Sequence, residues 1–379
     1  MRQSKLIGYS KPLNKIANPR AGLDSIYLYG SNNLYPYYVK NAILGSPTAS
    51  IAHRAHKNNI AKGVNIKDFV INRRKDTLLS SLNDSASVDT SMFGGFYIHL
   101  NYEWDVSKEK FIPVNPTILP FEDCRINKED DAGNFSKVFV DNFLDAKRGM
   151  FNPDKVDWYY KYNPDSSVIL KQIKKDADKK GIDLSTDEGK KEALRGFRGQ
   201  VRFCNSTSEF PYPTSIADSV LGDSLSEYFI SRYTYGQTVN GFMGKVVAFL
   251  KEGDSEENKE FEDDLVDWLS TDGANGIYVQ IIQNVDDIDK VLVIKNFESN
   301  FDDALFKETT ERLRDNILGA FDNLPKILVY SGDAAFFGTN PDTWKNAEQY
   351  FYKNTEYLRD WKNRMLSDTL NLNLDETNV

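Results

Sequence analysis

The chain has 379 residues, with 47 Lys and Arg against 56 Asp and Glu, giving a net charge of −9 at neutral pH. That balance excludes a protein that coats nucleic acid by wholesale phosphate neutralisation, and a hydrophobic fraction of 40%, with 13% aromatic, excludes wholesale disorder. Two isolated cysteines, Cys124 and Cys204, exclude a disulfide framework and a zinc ribbon, and point to synthesis in a reducing cytoplasm.

The opening, MRQSKLIGYSKPLNKIANPR, is basic but lacks the apolar stretch of a signal peptide. No run of about 18 apolar residues occurs, so no membrane-spanning helix is expected. No short internal repeat is visible. Residues 1–45 mix Gly, Pro, Asn and Tyr and read as an irregular arm. Next, SPTASIAHRAHKNNIAKG predicts a helix with Ser46 as N-cap, Pro47 in the first position and Gly63 as the stop. A second helix is expected over NRRKDTLLSSLNDSASVDTSM. In FGGFYIHLNYEWD, Phe96, Ile98 and Leu100 alternate with Tyr97, His99 and Asn101, which predicts a half-buried strand.

Residues 111–145 read as short strands broken by Pro113, Pro116, Pro120 and Gly133. VDWYYKYNPD is another strand, and a charged helix is expected over 164–180. The polar stretch KKGIDLSTDEGKKEALRGFRG reads as a surface insertion. Pro211 and Pro213 form a rigid elbow, after which Thr214 caps a helix to about Asn240. Its Ser, Thr and Gly content makes it a poor free-standing helix, in need of neighbours on more than one side.

A small β-α-β-β lobe follows over residues 241–298. KVVAFL is its first strand, an acidic helix capped by Asp254 or Ser255 comes next, and IYVQII and KVLVIK are the remaining strands. A closing helix begins near Asp302, with Leu305, Leu313, Ile317 and Phe321 on one side. NLPKILVYSGDAAFFGTN is a loop-rich crossing. Asn340-Pro341-Asp342 is a strong helix start, and apolar steps of three and four from Trp344 through Ala347, Phe351, Leu358, Trp361, Met365 and Leu372 predict a long final helix. Unkinked, it would span roughly 50 Å. The tail LDETNV is polar and reads as frayed.

Catalytic strings are missing. No GxxxxGK[ST], GxGxxG, GxSxG or HExxH occurs. Gly94-Gly95 reads as a bulge at a strand entry rather than a phosphate cradle. His53 and His56, three apart, could share a metal or simply lie on a solvated helix face, and His99 is the one other histidine. EFEDDLVD and NVDDIDK could be divalent-cation ligands or ordinary surface charge. Cys124 and Cys204 have no neighbouring base in sequence and read as semi-buried residues. No cofactor, metal or catalytic residue is therefore assigned.

The order of these parts over residues 40–375 resembles the portal proteins of tailed bacteriophages. The resemblance rests on SPTASIAHRAHKNNIAKG and FGGFYIHLNYEWD for the wing and PYPTSIADSVLGDSLSEYF for the first stem helix. GFMGKVVAFLKEG, GANGIYVQII and VLVIKNF match the clip. FDDALFKETTERLRDNILGAFDNLPKIL matches the second stem helix, and NPDTWKNAEQYFYKNTEYLRDWKNRML the tunnel helix. It implies an α+β fold with an N-terminal arm over 1–45 and a mixed α/β wing over 46–212. Stem helices over 213–240 and 299–321 flank a clip over 241–298, followed by a tunnel-loop region over 322–340 and a long kinked wing helix and tail over 341–379. Two departures stand out: the helical crown is expected to be reduced or absent, and residues 160–200 are longer and more charged than a minimal wing.

By this resemblance the chain is a non-enzymatic ring of about twelve copies at one capsid vertex, made in the bacterial cytoplasm and built into the virion. It would pass double-stranded DNA in packaging and ejection and dock the large terminase, a head-tail adaptor, the major capsid protein and scaffold, with no membrane contact. An acidic subunit suits a conduit that grazes phosphates and argues against a sequence-specific binder. Asp333, Phe336, Phe337 and Asn340 are the candidate tunnel-loop residues, though Phe336 and Phe337 could equally be core. Lys251, Glu252, Asp254, Asp286, Asp287 and Asp289 are candidate clip contacts or plain solvated turns. A lone copy is expected to expose apolar surface on the stems and the final helix, which makes the oligomer obligate. A connector in a phage-derived gene-transfer particle would form the same ring. A metal-dependent nucleic-acid-processing enzyme using the acidic clusters is the alternative from another class.

Overall fold

The computed structural model describes residues 21–22, 26–30, 32–64, 67–128, 134–143, 156–177, 181–207, 211–239, 245–249, 293–297, 303–330, 341–372 and 374. It is a mixed α/β structure whose chain divides into two compact units, Met1–Ser224 with Asp315–Val379, and Leu225–Arg314.

In the first unit a six-stranded sheet forms the centre. Two short strands, β1 (Ala21–Gly22) and β2 (Ile26–Tyr27), precede α1 (Tyr35–Gly45) and α2 (Pro47–Ile60). The expected irregular arm is thus partly helical. Pro36 sits in the first turn of α1, and Tyr35, Val39, Ala42 and Ile43 make one buried stripe at helical spacing. The turn-forming composition hid that stripe. Helix α2 starts as expected, with the Ser46 hydroxyl accepting from the Ala49 N–H and Pro47 in the first turn.

Strands β3 (Val70–Asn72) and β4 (Thr77–Leu78) occupy the start of the second expected helix, so α3 spans only Leu79–Phe93. The NRRKD stretch makes the turn between the strands instead, with the Asn72 side chain accepting from the Arg74 and Lys75 N–H groups. At the end of α3, Gly94 is left-handed at φ +79 and its N–H donates to Thr90 O. It is a helix stop and not a bulge. Gly95 opens β5 (Gly95–Asp105), where a Cβ would come within 2.4 Å of Cys204 O.

The remaining strands of the sheet are β6 (Lys110–Leu119), β7 (Cys124–Ile126), β8 (Lys137–Val140), β9 (Asp157–Lys161) and β10 (Gln200–Asn205), in the order β6-β5-β10-β9-β8-β7. Strand β6 runs unbroken through Pro113 and Pro116, against expectation. It is an edge strand, where half of the N–H groups face away from the ladder and proline is tolerated, and the register shift near Asn115 (φ +50) absorbs the distortion. Tyr97 is fully buried beside Phe96 and Ile98, so the start of β5 is covered on both faces and not half-buried.

Every pairing in the sheet is antiparallel except β9 with β10. A parallel pair needs a long crossover, and α4 (Ser166–Ala177) and α5 (Asp187–Arg195) lie in it. The supposed surface insertion is therefore part of the core, with Ala193 and Phe197 buried and Ile182, Leu184 and Leu194 packed against them. Its charged residues face outward from an amphipathic crossover.

The predicted elbow also changes. Residues 211–217 remain irregular, Asp218–Val220 form a 3-10 turn, and α6 starts at Leu221 and runs to Val239. Thr214 does not cap it. The Ser215 hydroxyl instead donates to Met92 O and accepts from the Ala217 N–H, tying the segment to the end of α3. In the second unit, β11 (Lys245–Phe249) pairs antiparallel with β12 (Val293–Phe297), two of the lobe strands expected from sequence. Its acidic helix and intervening strand lie outside the described residues. Helix α7 (Asp303–Ala320) follows, then α8 (Pro341–Asn354) and α9 (Glu356–Leu370). The expected single long helix is thus divided at Thr355. The tail is partly anchored, since Leu374 is fully buried.

Helix α9 docks on α2 and α3 through a buried ammonium. Lys362 is fully buried, and its Nζ donates to Ile60 O (3.0 Å), Asn83 Oδ1 and Ser87 Oγ (3.2 Å). Ser87 donates its own proton to Asn83 O at 2.7 Å, which leaves its oxygen free to accept. Burial, reinforced by the nearby Arg359 charge, lowers the Lys362 pKa to about 7. Replacing Asn83 by Leu removes one acceptor while leaving the ammonium in place, and is expected to cost about 3 kcal/mol in urea unfolding. The double variant N83L/K362M removes both partners and is expected to recover much of that loss. A double variant no more stable than N83L would show that the ammonium is not what penalises the single change.

Candidate functional site

The residues singled out from sequence for a tunnel loop (Asp333, Phe336, Phe337, Asn340) and for clip contacts (Lys251, Glu252, Asp254, Asp286, Asp287, Asp289) lie outside the described residues, as do both acidic runs. The described part of that reading is the helical surface next to them. Cys124 and Cys204 are more deeply placed than expected. Both are free and buried, and burial raises both thiols, Cys204 to about 12. Neither is poised as a nucleophile.

The two histidines of α2 are not on a solvated face. His56 is fully buried and His53 nearly so. The Nδ1 atoms of both meet one hydroxyl, Ser91 Oγ, at 2.9 Å and 2.8 Å, and His56 Nε2 meets Asp322 Oδ2 at 2.9 Å. The carboxylate can only accept, so His56 carries its proton on Nε2. In its neutral form Nδ1 must then accept from Ser91. The serine has one proton to give, so His53 must donate its Nδ1–H to Ser91. The pair is a directed hydrogen-bond chain joining α2, α3 and the turn after α7. His99 Nε2 is bonded to Arg198 O at 2.9 Å, on another element. Among the described residues no cluster of three His, Cys, Asp or Glu is placed to hold a metal ion.

The same seam fixes the α8–α9 junction. Asn354 Nδ2 donates to Asp322 O at 2.9 Å and Asn59 Nδ2 donates to Thr355 Oγ1 at 2.9 Å. The Thr355 hydroxyl is within 3.2 Å of the Phe351 and Tyr352 carbonyls, a back-bonding geometry that distorts helices. Thr355 N–H still donates to Phe351 O, and Arg359 N–H to Thr355 O. The ladder continues across the irregularity, so no loop intervenes. Arg359 lies 3.6 Å from the Tyr352 ring centroid and donates to Tyr352 O, clamping the end of α8 to α9.

The N-terminal half of α8 is largely exposed among the described residues. Of residues 342–354, Phe351 is the one buried side chain. Trp344 is 44% exposed and Tyr350 52%, with Tyr357 of α9 at 63%. A short helix in water depends on tertiary packing of one face, and among the described residues little of α8 before Phe351 is buried. In the second unit, Phe229 and Tyr235 of α6 are likewise exposed, at 60% and 72%. Alternating apolar residues along the final helix were visible in the sequence. That the first of them, Trp344, lies uncovered was legible only in the expectation of an oligomer. No helix among the described residues is long and apolar enough to cross a membrane.

No protein-family model matches the chain, and no curated protein matches it in sequence. Its fold is similar to chains of solved particles. One is described as the virion of a native gene transfer agent particle, at 12% identity and a TM-score of 0.45, covering 89% of this chain and 81% of that one. A second, the neck of the native particle computed with C12 symmetry, has the same identity and TM-score, with 90% and 84% covered. A third, the neck of the empty particle computed with C6 symmetry, stands at 11% identity and 0.43.

Burial lowers the pKa of His53 to about 4, helped by the charges of His56 and Lys57. In the unfolded chain a histidine takes up its proton near pH 6.5. Between those values the unfolded state binds more protons, so stability is present above pH 6.5 and is lost as pH falls toward 4. The loss is expected to reach at most about 3 kcal/mol. Urea unfolding measured from pH 7 to pH 4 should show it, and His53→Gln should flatten the slope. An unchanged slope in that variant would move the acid sensitivity to another group.

Proposed function

We propose that this chain is the subunit of a portal-type ring, a non-enzymatic connector of a tailed-phage-type particle through which double-stranded DNA enters and leaves. The observation that carries this reading is the compact unit Leu225–Arg314, whose boundaries fall inside α6 and α7. That division supports the order wing, stem, clip, stem and tunnel helix read from the sequence. The β11–β12 pair lies at the two ends of the segment assigned to the clip. The exposed aromatic residues of α6, α8 and α9 support self-assembly, because a face uncovered in one copy is what a neighbouring copy can bury. Contacts between unlike faces of identical copies close into rings when the rotation between copies permits.

In this reading α6 and α7 are the stems, α8 leads from the tunnel loop, and the sheet with α3, α4 and α5 is the wing. Asp333, Phe336, Phe337 and Asn340 are proposed to border the channel. Lys251, Glu252, Asp254, Asp286 and Asp287 are proposed to meet the terminase or a head-tail adaptor. The ring serves equally in a phage or in a gene-transfer particle derived from one, and about twelve copies is the proposed number.

Size tests the proposal directly. Light scattering of the purified chain should give a particle of several hundred kilodaltons, against 43.2 kDa for one copy. Negative-stain images should show annuli. Trp344→Ala with Tyr350→Ala should weaken assembly while leaving the far-UV circular dichroism nearly unchanged, since both side chains are half-exposed. A stably solitary chain at micromolar concentration would end the portal reading.

A further inference from the structure

The ammonium that docks α9 is a costly way to place a helix. A buried charge among neutral partners stabilises no better than well-packed apolar side chains of the same volume. Besides fixing a register, the arrangement brings together two groups that can react. Lys362 Nζ is in hydrogen-bond contact with Asn83 Oδ1, and both side chains are out of water, Lys362 fully buried and Asn83 6% exposed. The amine therefore touches the oxygen of a primary carboxamide whose carbon, Cγ, is the next atom along.

Each surrounding group has a definite place. Asn83 Nδ2 donates to Ala61 O at 2.8 Å, which fixes the plane of the amide and turns Oδ1 toward the amine. Ser87 Oγ lies 3.2 Å from Nζ and gives its own proton to Asn83 O at 2.7 Å, so it is ready to accept from Nζ. Arg359, itself 2% exposed, is close enough for its charge to act on the amine, and the same charge favours negative charge developing on Oδ1. Burial, with that guanidinium, brings Lys362 down to about 7. Near neutral pH about half of the chains therefore hold it as a free amine, the nucleophilic form.

We propose that Lys362 and Asn83 are a modification site at which the folded chain joins α9 to α3 through a side-chain amide bond. The neutral Nζ attacks Cγ, the Nζ–Cγ bond forms and the Cγ–Nδ2 bond breaks. One proton passes from Nζ to Nδ2, with Ser87 Oγ placed to take it up on the way, and ammonia leaves. No oxidant, reductant or co-reactant is consumed. An unactivated amide reacts slowly with an amine in water, but partners held in contact and in fixed orientation behave as if at about 10⁵ M or more. The structure holds the two groups as they stand before reaction. The bond would close a loop between positions 279 apart, with the unit Leu225–Arg314 inside it. The inference is independent of ring formation.

Mass spectrometry of the full-length protein, in whatever assembly state it adopts, is the test. On incubation for days at about pH 8 the intact chain should lose about 17 Da, one ammonia. Trypsin should then release a branched peptide that joins residues 76–108 to residues 360–364, because an acylated Lys362 is no longer cleaved. The rate should be about tenfold higher at pH 8 than at pH 6, following the neutral amine. The chain unfolded in guanidinium should not react. Lys362→Met should abolish the mass loss, and Ser87→Ala should slow it. The peptide map of the unaltered protein needs no variant to fold. An unchanged intact mass, or a loss in which the two peptides stay separate, as imide formation at Asn83-Asp84 would give, would each overturn the proposal. So would a branched peptide formed equally fast in the unfolded chain.

Discussion

One ammonium group holds the first unit together. Lys362 reaches acceptors on two helices 302 and 279 positions earlier in the chain, Ile60 O on α2 and Asn83 Oδ1 on α3. Its placement requires α9 to return across the whole length of the fold and lie on the same helices that cover the sheet. Three N–H donors meet three acceptors, which offsets part of the cost of desolvating a charge, and the lowered pKa of Lys362 marks the part that remains. Asn363, the next residue, donates to Gly63 O, and Arg202 of β10 donates to Thr369 Oγ1. The C-terminal helix is therefore positioned by polar contacts with fixed geometry, while Trp361 and Leu366 supply apolar burial. A helix that could slide along an oily groove is held in one register.

The same closure explains how the chain tolerates a second compact unit between Leu225 and Arg314. The elements that complete the first unit are supplied from both sides of that unit, and Asn316 on α7 bonds to Asp223 on α6 at 3.0 Å within the first unit itself. The pieces before and after the insertion meet without reference to what it contains. His56 with Asp322, and Asn354 with the Asp322 carbonyl, extend this closure from α7 to the start of α9. Polar side chains in this seam are shared between elements far apart in sequence, which is why so many of them are buried.

Much of this was legible in the sequence, and the failures have physical causes. The Ser46-Pro47 start of α2, the strands at Gly95 and Asp157, and the Pro341-Asp342 start of α8 follow from local chemistry, and the structure has them. The helix expected over 164–180 is there as α4, but the stretch 179–199 was misread as a surface insertion because a polar segment was judged alone, whereas the parallel pairing of β9 and β10 that demands a crossover is a long-range fact. Strand β6 was broken in the reading at two prolines whose harmlessness depends on its place at the edge. His53 and His56 looked solvated because their partner, Ser91, lies on another helix. Asn59, Thr355 and Lys362 carried no signal at all, since a buried polar network is written in distant positions. The exposed side of α8 was anticipated in kind, from apolar residues spaced for burial that one copy had no evident means to cover.

The prolines of β6 have a meaning beyond the single chain. An unguarded sheet edge invites one copy of a chain to continue the sheet of the next. Pro113 has no N–H to donate, and Asn72 already occupies the Asn115 and Pro116 carbonyls further along. That stretch of the β6 edge offers fewer groups for hydrogen-bonded extension. Any copies meeting at this strand would have to recognise one another through side chains, whose shapes admit only particular angles of approach, rather than through a backbone ladder that would accept any number of them.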